Sequence, residues 1–203
     1  SFSFKDAAFT KQMDEAEIAR AMRHVGLGID QGGIGIGLLL DYLDDAVSDG
    51  ELEALFTTAA DRRAPLFIHI RRGIAGDPSG LIEVIELAKR TGASIHICHL
   101  SASAMGGIDN FLELVDEALV AGVDISAESY PYNAGSTSIG ADVFNRDWQS
   151  IFGITYGDVQ LAETGEFFTK ARWDEVRAED PSATIIHHYG REDWTQRAMV
   201  SSA

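Results

Sequence analysis

From about residue 33 to residue 128 the chain repeats one unit: a short apolar run, a turn, an amphipathic stretch closed by glycine, then the next apolar run. The runs Ile34–Leu40, Leu66–Ile70, Ser94–Cys98 and Val123–Ala127 predict strands. Asp49 to Arg62 carries Leu52, Leu55 and Phe56 at helical spacing, and a second helix is predicted from Asp77-Pro78 to Gly92. Proline suits the first position of that helix and glycine its end. Leu81, Ile82, Val84, Ile85 and Ala88 form its apolar stripe. A third helix, about Ile108 to Val120, stops at Gly122. Short, nearly continuous apolar strands belong to parallel sheets covered by helices. Regular alternation of this kind predicts an α/β fold, either a barrel or a doubly wound sheet.

The rhythm breaks after Tyr132. Residues 133–170 are rich in Gly, Ser, Thr and Phe and read as a long functional loop with short helices. A helix near Ala171–Ala178, a strand Ala183–Ile186 and an apolar segment Ala198-Met199-Val200 follow. At the other end, Asp14 is placed to cap a helix carrying Ile18, Ala21 and Met22. The count is five to six parallel strands, too few to close an eight-stranded barrel, which needs about 250 residues.

Composition narrows the classes. The 203 residues are 45% hydrophobic, enough for a substantial core, and carry a formal charge of −16. Nucleic acid and anionic membrane call for the opposite sign and are set aside as partners. No run reaches the roughly eighteen apolar residues of a membrane span. Cys98 is the single cysteine, so no disulfide framework is expected, and a cytoplasmic location fits a lone thiol.

The chemistry gathers at strand ends. His69 and His99 close consecutive apolar runs about thirty residues apart, the length of a strand, a crossover helix and a second parallel strand. That places two imidazoles on the carboxyl rim, where α/β proteins build their sites, and the pair suits a divalent ion, zinc first. Taken singly, each histidine reads as a satisfied core group. Alternation predicts Ile95 and Ile97 on the interior with His99 above them, and His96 and Cys98 toward the helices. Glu128-Ser129-Tyr130-Pro131-Tyr132, after the fourth run, presents a phenol to a developing oxyanion, and Gly135 offers backbone N–H groups to an anion. His187 and His188 read as rim histidines rather than ligands.

His69-Ile70-Arg71, then Ile97-Cys98-His99-Leu100, then Ser126-Ala127-Glu128-Ser129-Tyr130-Pro131-Tyr132-Asn133-Ala134-Gly135-Ser136-Thr137 resemble the N-acyl-D-amino-acid deacylase branch of the amidohydrolase superfamily. The likeness spans roughly residues 15 to 200 and is nearest the D-glutamate deacylase members. It implies a metal-dependent (β/α)8 TIM barrel that hydrolyses the amide bond of a small-molecule substrate, an N-acyl-D-amino acid. Carried over, it makes His69 and His99 metal ligands on the fifth and sixth barrel strands. Tyr132 is the catalytic tyrosine near the scissile carbonyl, and Ser138 a substrate contact. Tyr42 is a further pocket tyrosine, and Arg71 either holds the substrate carboxylate or braces its strand end.

The family has a lysine two residues after the second histidine, where this chain has Ser101. Its His-x-His motif and bridging ligand would precede Ser1, and its catalytic aspartate would follow Ala203. Residues 1–203 therefore read as one partial catalytic barrel domain, lacking N-terminal strands and the last strand. The exposed sheet edges of such a barrel point to a homo-oligomer. Two other readings compete: a cyclic-amide hydrolase of the dihydroorotase or hydantoinase kind, and an inactive barrel fragment serving in binding or assembly.

Overall fold

The computed structural model describes residues 11–43, 46–190 and 192–201. In chain order the elements are α1 (Glu15–Asp30), β1 (Ile36–Leu39), α2 (Leu40–Leu43), α3 (Asp49–Asp61), β2 (Leu66–His69), α4 (Ser79–Thr91), β3 (Ile95–Ile97), α5 (Leu100–Ala104) and α6 (Ile108–Val120). The second half contributes β4 (Ile125–Ala127), β5 (Gly135–Ser138), α7 (Trp148–Phe152), β6 (Val159–Leu161), α8 (Lys170–Glu179), β7 (Thr184–His187) and α9 (Glu192–Ser201).

Strands β1 to β4 lie side by side in chain order, each pair parallel. Local signals set the helix limits, though Pro78 stands as the N-cap of α4 rather than at its first position. Asp14 accepts from the Glu17 amide while the Glu17 carboxylate receives the Asp14 amide, a capping box that starts α1. Ser48 caps α3, and Gly92 ends α4 with a φ of 73°. The first core is Leu66, Ile68, Ile95, Ile97 and Ile125 packed on Phe56, Leu81, Val84, Phe111 and Val115. Burying each large side chain fully is worth about 1.5–3 kcal/mol.

This packing reverses the predicted facing of β3. Ile95 and Ile97 are buried against the helices, whereas His96 shares the open face with Phe67 and Ser126. Alternation fixes which residues share a side but not which side the helices cover.

The predicted strand 183–186 also departs from the parallel sheet. It forms β7, the centre of a separate antiparallel sheet ordered β5-β7-β6. Among the described residues there are thus four parallel strands rather than five or six, and no closed barrel. The stretch 133–170 has the expected short helix but also supplies both flanking strands of this second sheet. Residues 198–201 are helical, within α9. A second core surrounds this sheet: Phe144, Trp148, Phe152 and Trp173 pack with Val159 and Ile185, and Trp148 stacks on Trp173 at 5.2 Å. Among the described residues no helix is long and apolar enough to cross a membrane.

Candidate metal and substrate cavity

A cavity of about 400 Å³ lies between the carboxyl ends of β1–β3 and the antiparallel sheet. Asp41 and Tyr42 reach it from α2, the single turn that follows β1. His69 comes from the last residue of β2 and His99 from the turn after β3. Tyr132, Gly135, Ser136 and Thr137 form another wall, and Phe152, His187 and Tyr189 close it.

His69 and His99 meet with ring centroids 4.5 Å apart, nearly edge to face, and Tyr42 sets its ring against His69 at 5.1 Å. His99 arrives in the left-handed conformation, φ 39° and ψ 56°. A non-glycine residue held there stores about 1–3 kcal/mol of strain, a feature that clusters at functional sites. The turn breaks the strand alternation, and so the imidazole reaches the rim although Ile95 and Ile97 point to the helices.

Asp41 is the buried carboxylate of the cavity, 2% exposed. Its Oδ1 receives the Arg146 guanidinium at 2.7 Å and the Arg72 amide at 3.2 Å, and its Oδ2 lies 3.4 Å from Nε2 of His69. Burial opposes its ionisation, but the His69 ring beside it, the Arg146 hydrogen bond and the charges of Arg72 and Arg146 outweigh it. The carboxyl titrates at about 2. Burial pushes His69 below the usual histidine range, against the pull of Asp41. His99 falls to about 4 through burial, His69 and Arg72, and His187 to about 3 through burial, Arg72 and His188. All three imidazoles are neutral at pH 7, the form that binds metal.

The side chains fit a divalent ion in part. Nε2 of His69 and Nδ1 of His99 are buried without a hydrogen-bond partner, so each keeps a nitrogen available as ligand. Among the described residues no three His, Cys, Asp or Glu side chains converge as a ligand set. The two histidines would therefore hold the ion, with the remaining positions left to water, substrate or residues beyond those described.

Other expected residues fall differently. Tyr132 and Tyr42 line the cavity, and no hydrogen bond engages the Tyr132 hydroxyl among the described residues. Tyr130 is occupied by a hydroxyl–hydroxyl bond to Tyr189, whose phenol burial and Tyr130 push far up. Ser138 sits on β5 but outside the lining, which Ser136 and Thr137 provide. Arg71 is drawn away, its guanidinium paired with Glu83 and 3.3 Å from the Val47 carbonyl. The next residue, Arg72, enters instead. His187 is likewise no rim group: it is 5% exposed and stacks on Tyr189 at 5.0 Å, while His188 faces out and meets Gln160 at 2.9 Å. Sequence reasoning missed Asp41, Arg72, Arg146 and His187. Asp41 and Arg72 carry one signal, charges just beyond the ends of apolar strands, whereas Arg146 follows the turn 142–145 and carries none.

A larger groove of about 1030 Å³ runs along α6 and β4, lined by Leu112, Val115, Ile125 and exposed carboxylates, without an imidazole. The ring nitrogens suited to metal lie only in the smaller cavity among the described residues.

No family model matches the chain. Over 128 residues, 60% of its length, the chain is 33% identical to an N-acyl-D-glutamate deacylase of Alcaligenes xylosoxydans xylosoxydans, of which this stretch is 26%. The fold superposes on the N-acyl-D-glutamate deacylase of Bordetella bronchiseptica with a TM-score of 0.75 and 21% identity, covering 93% of this chain and 41% of that one. That enzyme was solved with zinc and a phosphonate inhibitor mimicking the tetrahedral intermediate of its reaction. A D-aminoacylase matches with a TM-score of 0.73 and 19% identity, over 95% of this chain and 42% of that one. The chain spans about a quarter of the curated relative and about two fifths of the solved ones. In sequence over those 128 residues, and in fold over nearly its whole length, the chain is similar to the D-aminoacylase branch of the amidohydrolases.

Proposed function

We propose that this chain carries metal-binding and substrate-binding residues of a zinc-dependent hydrolase cleaving the amide bond of N-acyl-D-amino acids, the activity belonging to the whole protein. The observation behind this reading is the meeting of two neutral, buried imidazoles, each with an unpartnered nitrogen, in a cavity on the carboxyl rim. The 33% identity to an N-acyl-D-glutamate deacylase supports the substrate class.

When bound, the ion supplies Lewis-acid polarisation of the scissile carbonyl and a lowered pKa for water. His69 and His99 would hold it; Tyr42 packs edge-on against the His69 ring, and Oδ2 of Asp41 faces the same Nε2. The unengaged hydroxyl of Tyr132 donates to the oxygen on which negative charge develops. Asp41, ionised and held by Arg146, orients rather than shuttles protons.

Metal content of the purified protein tests this. His69→Ala and His99→Ala should each abolish tight zinc binding; unchanged zinc in both variants sinks the assignment. Tyr132→Phe should keep zinc and lower kcat by about a hundredfold or more in N-acetyl-D-glutamate hydrolysis. Turnover of hydantoin but not of N-acyl-D-amino acids decides for the cyclic-amide reading.

A further inference from the structure

Tyr132 is 71% exposed, so burial of its own ring does little to hold it. A phenol that must meet a developing oxyanion needs its aim set all the same, because a small misplacement costs rate. Its ring lies 6.2 Å from that of Tyr130, centroid to centroid. Pro131, between the two, fixes one backbone angle of the turn. The remaining restraint comes from outside the turn.

Two anchors flank Tyr132. On its N-terminal side the Tyr130 hydroxyl is hydrogen-bonded to the hydroxyl of Tyr189. On its C-terminal side the Asn133 carbonyl accepts from the Gly190 amide at 2.9 Å. Both partners are consecutive residues just past β7, and that run is itself held. The His188 amide donates to the Asp158 carbonyl at 2.9 Å. The Tyr189 ring is 7% exposed, stacks on His187 and lies 5.6 Å from Phe152. Burial pushes its phenol up, so the hydroxyl stays protonated through the neutral range. The second anchor is built for close approach. A Cβ at position 190 would stand 2.8 Å from the Asn133 Cα, carbonyl carbon and carbonyl oxygen, all of them backbone.

We propose that Tyr189 and Gly190 clamp the Tyr130–Asn133 turn and thereby aim the Tyr132 hydroxyl into the cavity. Tyr130 and Tyr189 are then positioning residues that act on the reaction through Tyr132. The antiparallel sheet serves the chemistry by presenting the clamp. This rests on the reading of Tyr132 as donor to the oxyanion. Tyr130 and Tyr189 also line the cavity, so direct contact with the ligand is the alternative that the test separates.

The test is a kinetic cycle on the whole, zinc-loaded protein with N-acetyl-D-glutamate, equal zinc content being verified. Tyr130→Phe and Tyr189→Phe each delete the same hydrogen bond and keep the ring. Each should lower kcat by about threefold to tenfold with KM unchanged, and the double variant should lose no more than either single. In a Tyr132→Phe background both changes should leave kcat where it is. Losses that persist in that background show direct contact with the ligand and overturn the proposal. An unchanged kcat in the singles, or a loss in only one of them, overturns it as well. Fluorine NMR with 3-fluorotyrosine in place of Tyr132 separates this inference from the functional reading. Should Tyr132→Phe keep full kcat, the role of Tyr132 as donor fails, and the resonance decides the clamp. Tyr130→Phe and Tyr189→Phe should each move it toward its position in the unfolded chain, and a resonance unmoved by both overturns the clamp.

Discussion

Oδ2 of Asp41 stands 3.4 Å from Nε2 of His69, across the carboxyl ends of two adjacent parallel strands. Oδ1 of the same carboxylate holds Arg146, which lies in chain between Phe144 and Trp148 of the second core, so one buried group ties the parallel sheet to the antiparallel half. Removing it takes from Arg72 and Arg146 the carboxylate they share. Asp41→Ala should cost about 3–5 kcal/mol in urea unfolding. A loss under about 1 kcal/mol would show that the tie contributes little.

The same carboxylate has a pH signature. Its folded value of about 2 lies below the ordinary carboxylate value, so its stabilisation is present above about pH 4 and lost as pH falls through about 2. In Asp41→Asn that last, strongly acidic loss of stability should vanish from the unfolding curve.

Histidines act at milder pH and in the same direction. His187, at about 3, and His99, at about 4, stay neutral when folded, whereas their unfolded forms take up protons below about 6.5. The unfolded chain then binds more protons, and stability falls with pH from about 6.5 downward. His187→Phe keeps a ring to stack on Tyr189 and should gain on wild type at pH 4.5 relative to pH 7.5. A constant difference between the two pH values would remove His187 from this account.

Gly135 pairs with His187 across the antiparallel sheet, and a Cβ there would stand 2.7 Å from the His187 ring and 2.9 Å from Tyr189. Gly135→Ala should therefore cost about 1–3 kcal/mol, the range for overpacking, and displace two walls of the cavity. An unchanged melting temperature together with unchanged ligand affinity would contradict this.

Cys98 is half-buried, and burial together with the charge of Glu128 pushes its thiol above the ordinary value. A disulfide reagent at pH 7 should react with it more slowly in the folded protein than in urea. Equal rates would place the thiol in an open, unperturbed setting.

Much of the first half was legible because its signals are local. Apolar periodicity, Asp14 and Gly92 mark elements through groups a few residues apart. The two histidines were legible because strand and crossover lengths are constrained. Facing was not: the period-two pattern of β3 reads the same with helices on either side, and burial chose the side opposite to the expectation. Nor could residues 183–186 announce antiparallel partners about twenty-five and about fifty residues upstream. Arg71 and Arg72 are indistinguishable as letters, and only the position of Glu83 on α4 draws the first away and leaves the second inside.

The left-handed turn at His99 has one more effect. Because the chain swivels there, the aim of the imidazole is uncoupled from the pleat of β3. Drift in the helical layer, exchanging one aliphatic side chain for another at 95 or 97, can proceed without re-aiming the ring. Inserting or deleting a residue within β3 should be far more damaging, since the swivel corrects direction but not reach. The strand can thus exchange one buried aliphatic side chain for another of similar volume, whereas its length fixes how far the ring reaches.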